Sequence, residues 1–193
     1  MNPQQFAALA AQDYNRIPVS LEVLADLETP LSAYRKIAEG PYSYFFESVQ
    51  GGEKWGRYSI IGLPCRTLLK VYGQRVEVWE DGERIECEEV PDPLAFVEAF
   101  GQRYRTAPRE DLPVFHGGLV GYFGYDTVSY IEPRLGANPV NDPIDAPDIL
   151  LMVSEELVVF DNLSGRLFVV IHADPNQQNA WEKGRDRLDE LVK

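Results

Sequence analysis

Polar and apolar residues alternate with a period of two over residues 67–72, 75–80 and 83–88, where β-branched and aromatic side chains dominate. That pattern predicts three strands, because successive side chains of a strand face opposite sides of the sheet. Asp81-Gly82 separates the last two and is a hairpin-turn signal. A second group follows at 149–154, 156–160 and 166–172, with Asp161 to Gly165 as the turn of a hairpin. Its last strand reads Leu167-Phe168-Val169-Val170-Ile171, which predicts apolar cover on both faces. Helices are marked by one repeated device: Asn2-Pro3, Thr29-Pro30, Asp92-Pro93 and Asp174-Pro175 each set a capping side chain before a proline. Helices are therefore predicted near residues 3–11, 30–39, 93–105 and 175–192, with Gly40 ending the second. In the last, Trp181, Leu188 and Leu191 share a face, and charged residues occupy the other.

Prolines at 133, 139, 143 and 147 interrupt any regular element between these groups, so 133–148 reads as an irregular loop. Strand groups and separate helices joined largely by hairpins predict an α+β fold, mainly antiparallel sheet with flanking helices. The length, 193 residues, allows one large domain or two small ones. A single domain over 1–193 is the expectation.

Composition narrows the function classes. Ten Tyr, nine Phe and three Trp give the core an aromatic character. A net charge of −13 argues against nucleic acid and against an anionic membrane surface, both of which call for clustered Lys and Arg. No apolar run approaches the ~20 residues of a membrane span. The N-terminus lacks a basic region followed by an apolar block, which argues against a secretory signal. Cys65 and Cys87 form no C-x-x-C pattern, and two free thiols in a cytoplasmic protein are expected.

Catalytic motifs are sparse. His116 and His172 belong to no metal or nucleophile pattern, and each is expected to be a hydrogen-bonded structural side chain. The stretch Phe115 to Asp126 is glycine-rich but lacks the spacing of a phosphate or dinucleotide loop. Gly118, Gly121 and Gly124 are expected to let aromatic rings pack closely on a strand. The seven carboxylates between Glu77 and Glu89 read as a solvated hairpin face.

The stretch richest in recognition chemistry is Tyr44-Phe45-Phe46-Glu47-Ser48, then Gly51-Gly52, then Gly56-Arg57-Tyr58-Ser59. A carboxylate answers an ammonium, a guanidinium answers a carboxylate, and aromatic rings form an apolar wall. Those are the groups that hold a zwitterionic amino acid. In a regular strand Glu47 and Ser48 would face opposite ways. A bulge or a strand end near the glycine pair would re-aim one of them and bring both to one pocket.

Glu47-Ser48, Gly-Arg-Tyr-Ser at 56–59, Gly-Gly-Leu-Val-Gly-Tyr-Phe-Gly-Tyr-Asp at 117–126, Ala-Pro-Asp-Ile-Leu-Leu-Met-Val at 146–153 and Glu-Leu-Val-Val-Phe-Asp at 156–161 together resemble the N-terminal region of anthranilate synthase component I. The resemblance runs from about residue 14 to about 175. It implies the N-terminal regulatory part of a lyase that converts chorismate and an amino donor into anthranilate, in tryptophan biosynthesis. It implies magnesium and chorismate sites in a C-terminal domain beyond Lys193, no catalytic residue and no bound metal in this part, and a glutamine amidotransferase subunit as partner. It also implies feedback inhibition by L-tryptophan at a site containing Ser48 and Glu47. The basic position matches Arg57, with Tyr58 and Ser59 adjacent, or alternatively Lys54. The same region of aminodeoxychorismate synthase component I, a stand-alone amino-acid-binding module, and a domain that docks the amidotransferase are the competing readings.

Overall fold

The computed structural model describes residues 1–26, 28–49, 55–135 and 144–193. Gly51, Gly52, Lys54, Pro139 and Pro143 lie outside the described residues. The chain divides into two compact units, and each is assembled from separated segments.

The first unit comprises Met1–Cys65, Tyr104–Gly118 and Ser154–Lys193. It holds helices α1 (Pro3–Ala10), α2 (Pro30–Ile37) and α5 (Ala180–Leu191), and strands β1 (Ile17–Leu24), β2 (Tyr44–Val49), β3 (Trp55–Gly62), β9 (Glu156–Asp161) and β10 (Arg166–Ala173). The strands form one sheet in the order β1-β10-β9-β3-β2, and every pairing in it is antiparallel.

Alternation on β10 explains how this sheet is covered on both sides. Leu167, Val169 and Ile171 join a core with Phe6 of α1, Ala33 of α2 and Leu188 of α5. Val170 belongs to a second cluster with Leu157 and Val159, against which Leu112, Phe115, Tyr58 and Phe168 pack. The apolar run thus has the two-sided cover its sequence predicts. Trp181 and Leu191 pack beside Leu188, as their shared helical face requires.

The second unit comprises Arg66–Arg103 and Leu119–Val153. Its strands are β4 (Thr67–Tyr72), β5 (Arg75–Glu80), β6 (Glu83–Glu89), β7 (Gly118–Phe123) and β8 (Ile149–Ser154), in the order β6-β5-β4-β8-β7. Helices α3 (Pro93–Gln102) and the short α4 (Val128–Ile131) accompany them. Asp81 and Gly82 both take positive φ, 51° and 82°, which is the conformation a two-residue hairpin turn of this hand demands.

Three caps work as predicted: Asn2, Thr29 and Asp92 each accept a backbone N–H three residues on. The fourth does not. The Asp174 carboxylate accepts from Asn176 N at 2.9 Å, closing a turn instead of a helix. Asn179 then adopts φ 57°, and α5 begins at Ala180. The strands at 149–154 and 156–160, adjacent in sequence, also part company: β8 enters one sheet and β9 the other.

Two further expectations need correction. Glu77 is not solvated: it is 5% exposed, and its carboxylate accepts from Trp79 Nε1 at 3.0 Å and Arg84 Nη1 at 3.1 Å, with Arg75 Nε at 3.3 Å. Glu77→Ala should therefore cost about 1–3 kcal/mol in urea unfolding, because it strands the indole N–H. Among the glycines, Gly121 admits backbone, not a ring: a Cβ there would stand 1.9 Å from Leu150 O. Gly124 meets Asp148 O in the same way at 3.0 Å, whereas Gly118 has open space and is required by its φ of 131°. The ring-on-glycine contact exists elsewhere, where Tyr44 lies over Gly62.

Candidate functional site

The candidate residues collect at the far end of the β2–β3 hairpin. Tyr44, Phe45 and Phe46 pair with Gly62, Ile61 and Ile60, so the apolar run is fixed by the strand beside it. Tyr44 Oη is buried and hydrogen-bonded to Ser154 Oγ at 2.6 Å, and burial pushes its phenol up to about 12. Glu47 pairs with Ser59, and Val49 with Trp55; the register shifts between Glu47 and Val49. The extra residues of that irregularity lie on β3, where Gly56, Arg57 and Tyr58 face the single residue Ser48, and not on β2, where the alternation argument places a bulge. The strands close in tightly there, since a Cβ on Gly56 would stand 1.7 Å from Ser48 O.

Glu47 and Ser48 are exposed, and Ser59 is buried. Ser59 Oγ accepts from Asn162 Nδ2 at 3.1 Å, and the same nitrogen donates to Gly56 O at 3.1 Å. Arg57 lies over the Tyr58 ring, 4.8 Å from its centroid. Its Nη2 donates to Asp161 Oδ2 at 3.0 Å and its Nε to Oδ1 at 3.3 Å. These hydrogen bonds hold the Asp161 carboxyl below its ordinary range and raise the Arg57 guanidinium. The structure therefore brings Glu47, Ser48, Arg57, Tyr58 and Ser59 to one hairpin. It adds Asp161 and Asn162, which the sequence identified only as turn residues. Lys54 falls outside the described residues.

Both cysteines are free, and burial, with Glu155 and Glu156 nearby, pushes the Cys65 thiol up to about 12. His172 Nε2 bonds to His116 O at 2.6 Å, and His116 Nδ1 to Pro113 O at 2.9 Å, as expected of structural histidines. A groove of about 470 Å³ lined by Met1, Gln5, Leu9, Arg109 and Asp111 contains none of the candidate residues. Among the described residues no group of three His, Cys, Asp or Glu is placed to hold a metal ion. Among them, too, no helix is long and apolar enough to cross a membrane.

Two antiparallel sheets with flanking helices define an α+β protein, and one solved structure shares that design. A crystal structure of anthranilate synthase component I from Streptococcus pneumoniae TIGR4 matches with a TM-score of 0.55 and 25% identity, over 88% of this chain and 35% of that one. The sequence relatives agree. The anthranilate synthase component 1 of Pseudomonas aeruginosa is 58% identical over 192 residues, covering 100% of this chain and 39% of that protein. The protein of the same name from Neisseria meningitidis serogroup B is 50% identical over 194 residues, covering 99% of this chain and 39% of that protein. No family model matches. The chain is thus similar along its whole length to anthranilate synthase component 1, and it spans 39% of the length of these relatives.

Proposed function

We propose that this chain is the N-terminal, tryptophan-sensing domain of an anthranilate synthase component I. The observation that carries the reading is 58% identity sustained across the whole chain. On this reading the full-length protein is a cytoplasmic lyase that makes anthranilate from chorismate, with ammonia from a glutamine amidotransferase subunit. Chorismate and magnesium belong to the rest of the polypeptide, and this region by itself is not catalytic. Anthranilate fluorescence from the full-length protein supplied with chorismate, magnesium and ammonia tests the activity. Aminodeoxychorismate in its place would reassign the domain to the related folate enzyme.

The β2–β3 hairpin is the proposed effector site. Glu47 takes the α-ammonium of L-tryptophan, Ser48 donates an orienting hydrogen bond, and a cation, Arg57 or Lys54, takes the carboxylate. Tyr58 and Ser59 complete the strand that carries them. The exposure of Glu47 and Ser48 supports this assignment, and the register shift sets Gly56, Arg57 and Tyr58 of β3 against the single residue Ser48 of β2. Tryptophan acts by population shift, favouring whichever arrangement of the full-length protein it contacts best, by no more than its differential affinity. In calorimetry on the full-length protein, Ser48→Ala is expected to weaken tryptophan about tenfold, the equivalent of one hydrogen bond. Unchanged affinity would remove Ser48 from the site.

A further inference from the structure

The segment that carries Arg57 and Ser59 is gripped from a neighbouring hairpin. Asp161, at the end of β9, is 6% exposed, and its carboxylate accepts from Arg57 Nε and Nη2. The same carboxylate accepts from the N–H groups of Leu163 at 3.1 Å and Ser164 at 3.4 Å, which closes its own turn. Asn162 follows. Its N–H donates to Arg57 O at 2.8 Å, while its Nδ2 donates to Gly56 O and Ser59 Oγ. Two consecutive turn residues thus make contacts at Gly56, Arg57 and Ser59.

Closing the β9–β10 turn does not need those contacts. The turn is already satisfied by Asp161 acting on Leu163 and Ser164, and by Gly165 N donating to Asp161 O at 2.9 Å. What Asn162 adds is directed wholly at β3. The arrangement also orients the guanidinium. Asp161 engages the Nε and Nη2 edge, and Nη1 takes no part in the pairing. An arginine held by one edge presents its remaining donors in a fixed plane, the geometry that suits a carboxylate. Ser59, held by Asn162, is the cross-strand partner of Glu47, so the grip reaches the carboxylate side of the site as well.

We infer that Asp161 and Asn162 are positioning residues for an amino-acid site on the β2–β3 hairpin. They set the plane of Arg57 and the seating of β3 before a zwitterionic ligand arrives, so that binding does not have to order the hairpin. This rests on the reading of the hairpin as the tryptophan site. Neither side chain touches the ligand.

The test uses the full-length protein with three readouts: calorimetric affinity for L-tryptophan, kcat and KM for chorismate without tryptophan, and Tm. Asp161→Asn and Asn162→Ala are each expected to weaken tryptophan roughly five- to fiftyfold, with kcat and KM within twofold of the parent. Asp161→Asn made in an Arg57→Gln background is expected to add nothing to the loss from Arg57→Gln alone, because the pair acts as one unit. Asn162→Asp keeps the shape and removes both Nδ2 donors, so it decides the matter if Asn162→Ala fails to fold. Parental tryptophan affinity in these variants, with Ser48→Ala still impaired, overturns the positioning role and leaves the hairpin reading intact. Equal losses in kcat and tryptophan affinity also overturn it, since they mark a general fault in folding. Parental affinity in both Ser48→Ala and Arg57→Gln defeats the hairpin reading, and the positioning role falls with it.

Discussion

Gly56→Ala is expected to lower the unfolding free energy by about 3 kcal/mol or more, the upper end of what overpacking costs. The added Cβ would stand 1.7 Å from Ser48 O and 2.3 Å from Ser48 C and Cβ. The first two of those atoms are backbone, so no rotamer change removes the clash. β2 and β3 must separate at the register shift, and the pairing of Glu47 with Ser59 is adjacent to it. Gly165→Ala is the matched control: its φ is 66° with nothing within 4 Å, so its cost is conformational, about 1–2 kcal/mol. Urea unfolding of both variants separates the two mechanisms. If Gly56→Ala is no more destabilised than Gly165→Ala, the strands do not approach as described. In the full-length protein Gly56→Ala should also abolish tryptophan inhibition, because Ser48 cannot hold its place.

What could be read in advance was whatever the chain decides locally. The β4–β5–β6 meander follows from alternation and from Asp81-Gly82, and the observed bounds agree within a residue. The irregularity near Ser48 was legible only in part: two successive polar residues suggest a bulge on β2, whereas the extra residues lie on β3. The start of α5 was not legible, since Asp before Pro is equally good at closing a turn on itself. Glu77 misled because its burial depends on Trp79, two residues along the same face of β5, and on Arg84, which the register shift between Val78 and Trp79 sets opposite Trp79. Asp161 and Asn162 escaped for a different reason. Arg57 and Asp161 lie 104 residues apart, and no spacing rule joins them. Only the pairing of β3 with β9 does.

Acidification from pH 7 to 4 should cost the first unit about 3 kcal/mol at His172 alone. The imidazole is 9% exposed at the end of β10, and its Nε2 donates to His116 O at 2.6 Å. A carbonyl can only accept, so the neutral ring carries its proton on Nε2. A second proton would place a charge in a desolvated site with Arg16 and His116 nearby, and burial is the larger cause that lowers the ring to about 4. The hydrogen bond with the His116 carbonyl acts the other way but is the smaller effect, and the Arg16 charge is itself ion-paired with Glu155 and lies near Asp174. An unfolded histidine titrates near 6.5. Above that value the ring is neutral in both states and contributes no pH dependence. Between about 6.5 and 4 the unfolded chain binds a proton that the folded chain refuses, so stability falls with pH. Below about 4 both states are protonated and the loss is complete. The acidic groups act in a separate window: Arg57 depresses the Asp161 carboxyl and Arg109 holds the Asp111 carboxyl at about 2, so their stabilisation is present above about pH 4 and lost below it. His172→Gln keeps an N–H donor for the His116 carbonyl and removes the titration. Urea unfolding at pH 7 and 4.5 should show a steep decline in the parent and a much shallower one in His172→Gln. Equal declines would mean that His172 is accessible to protons in the folded protein, and that the fall in stability comes from carboxylates elsewhere.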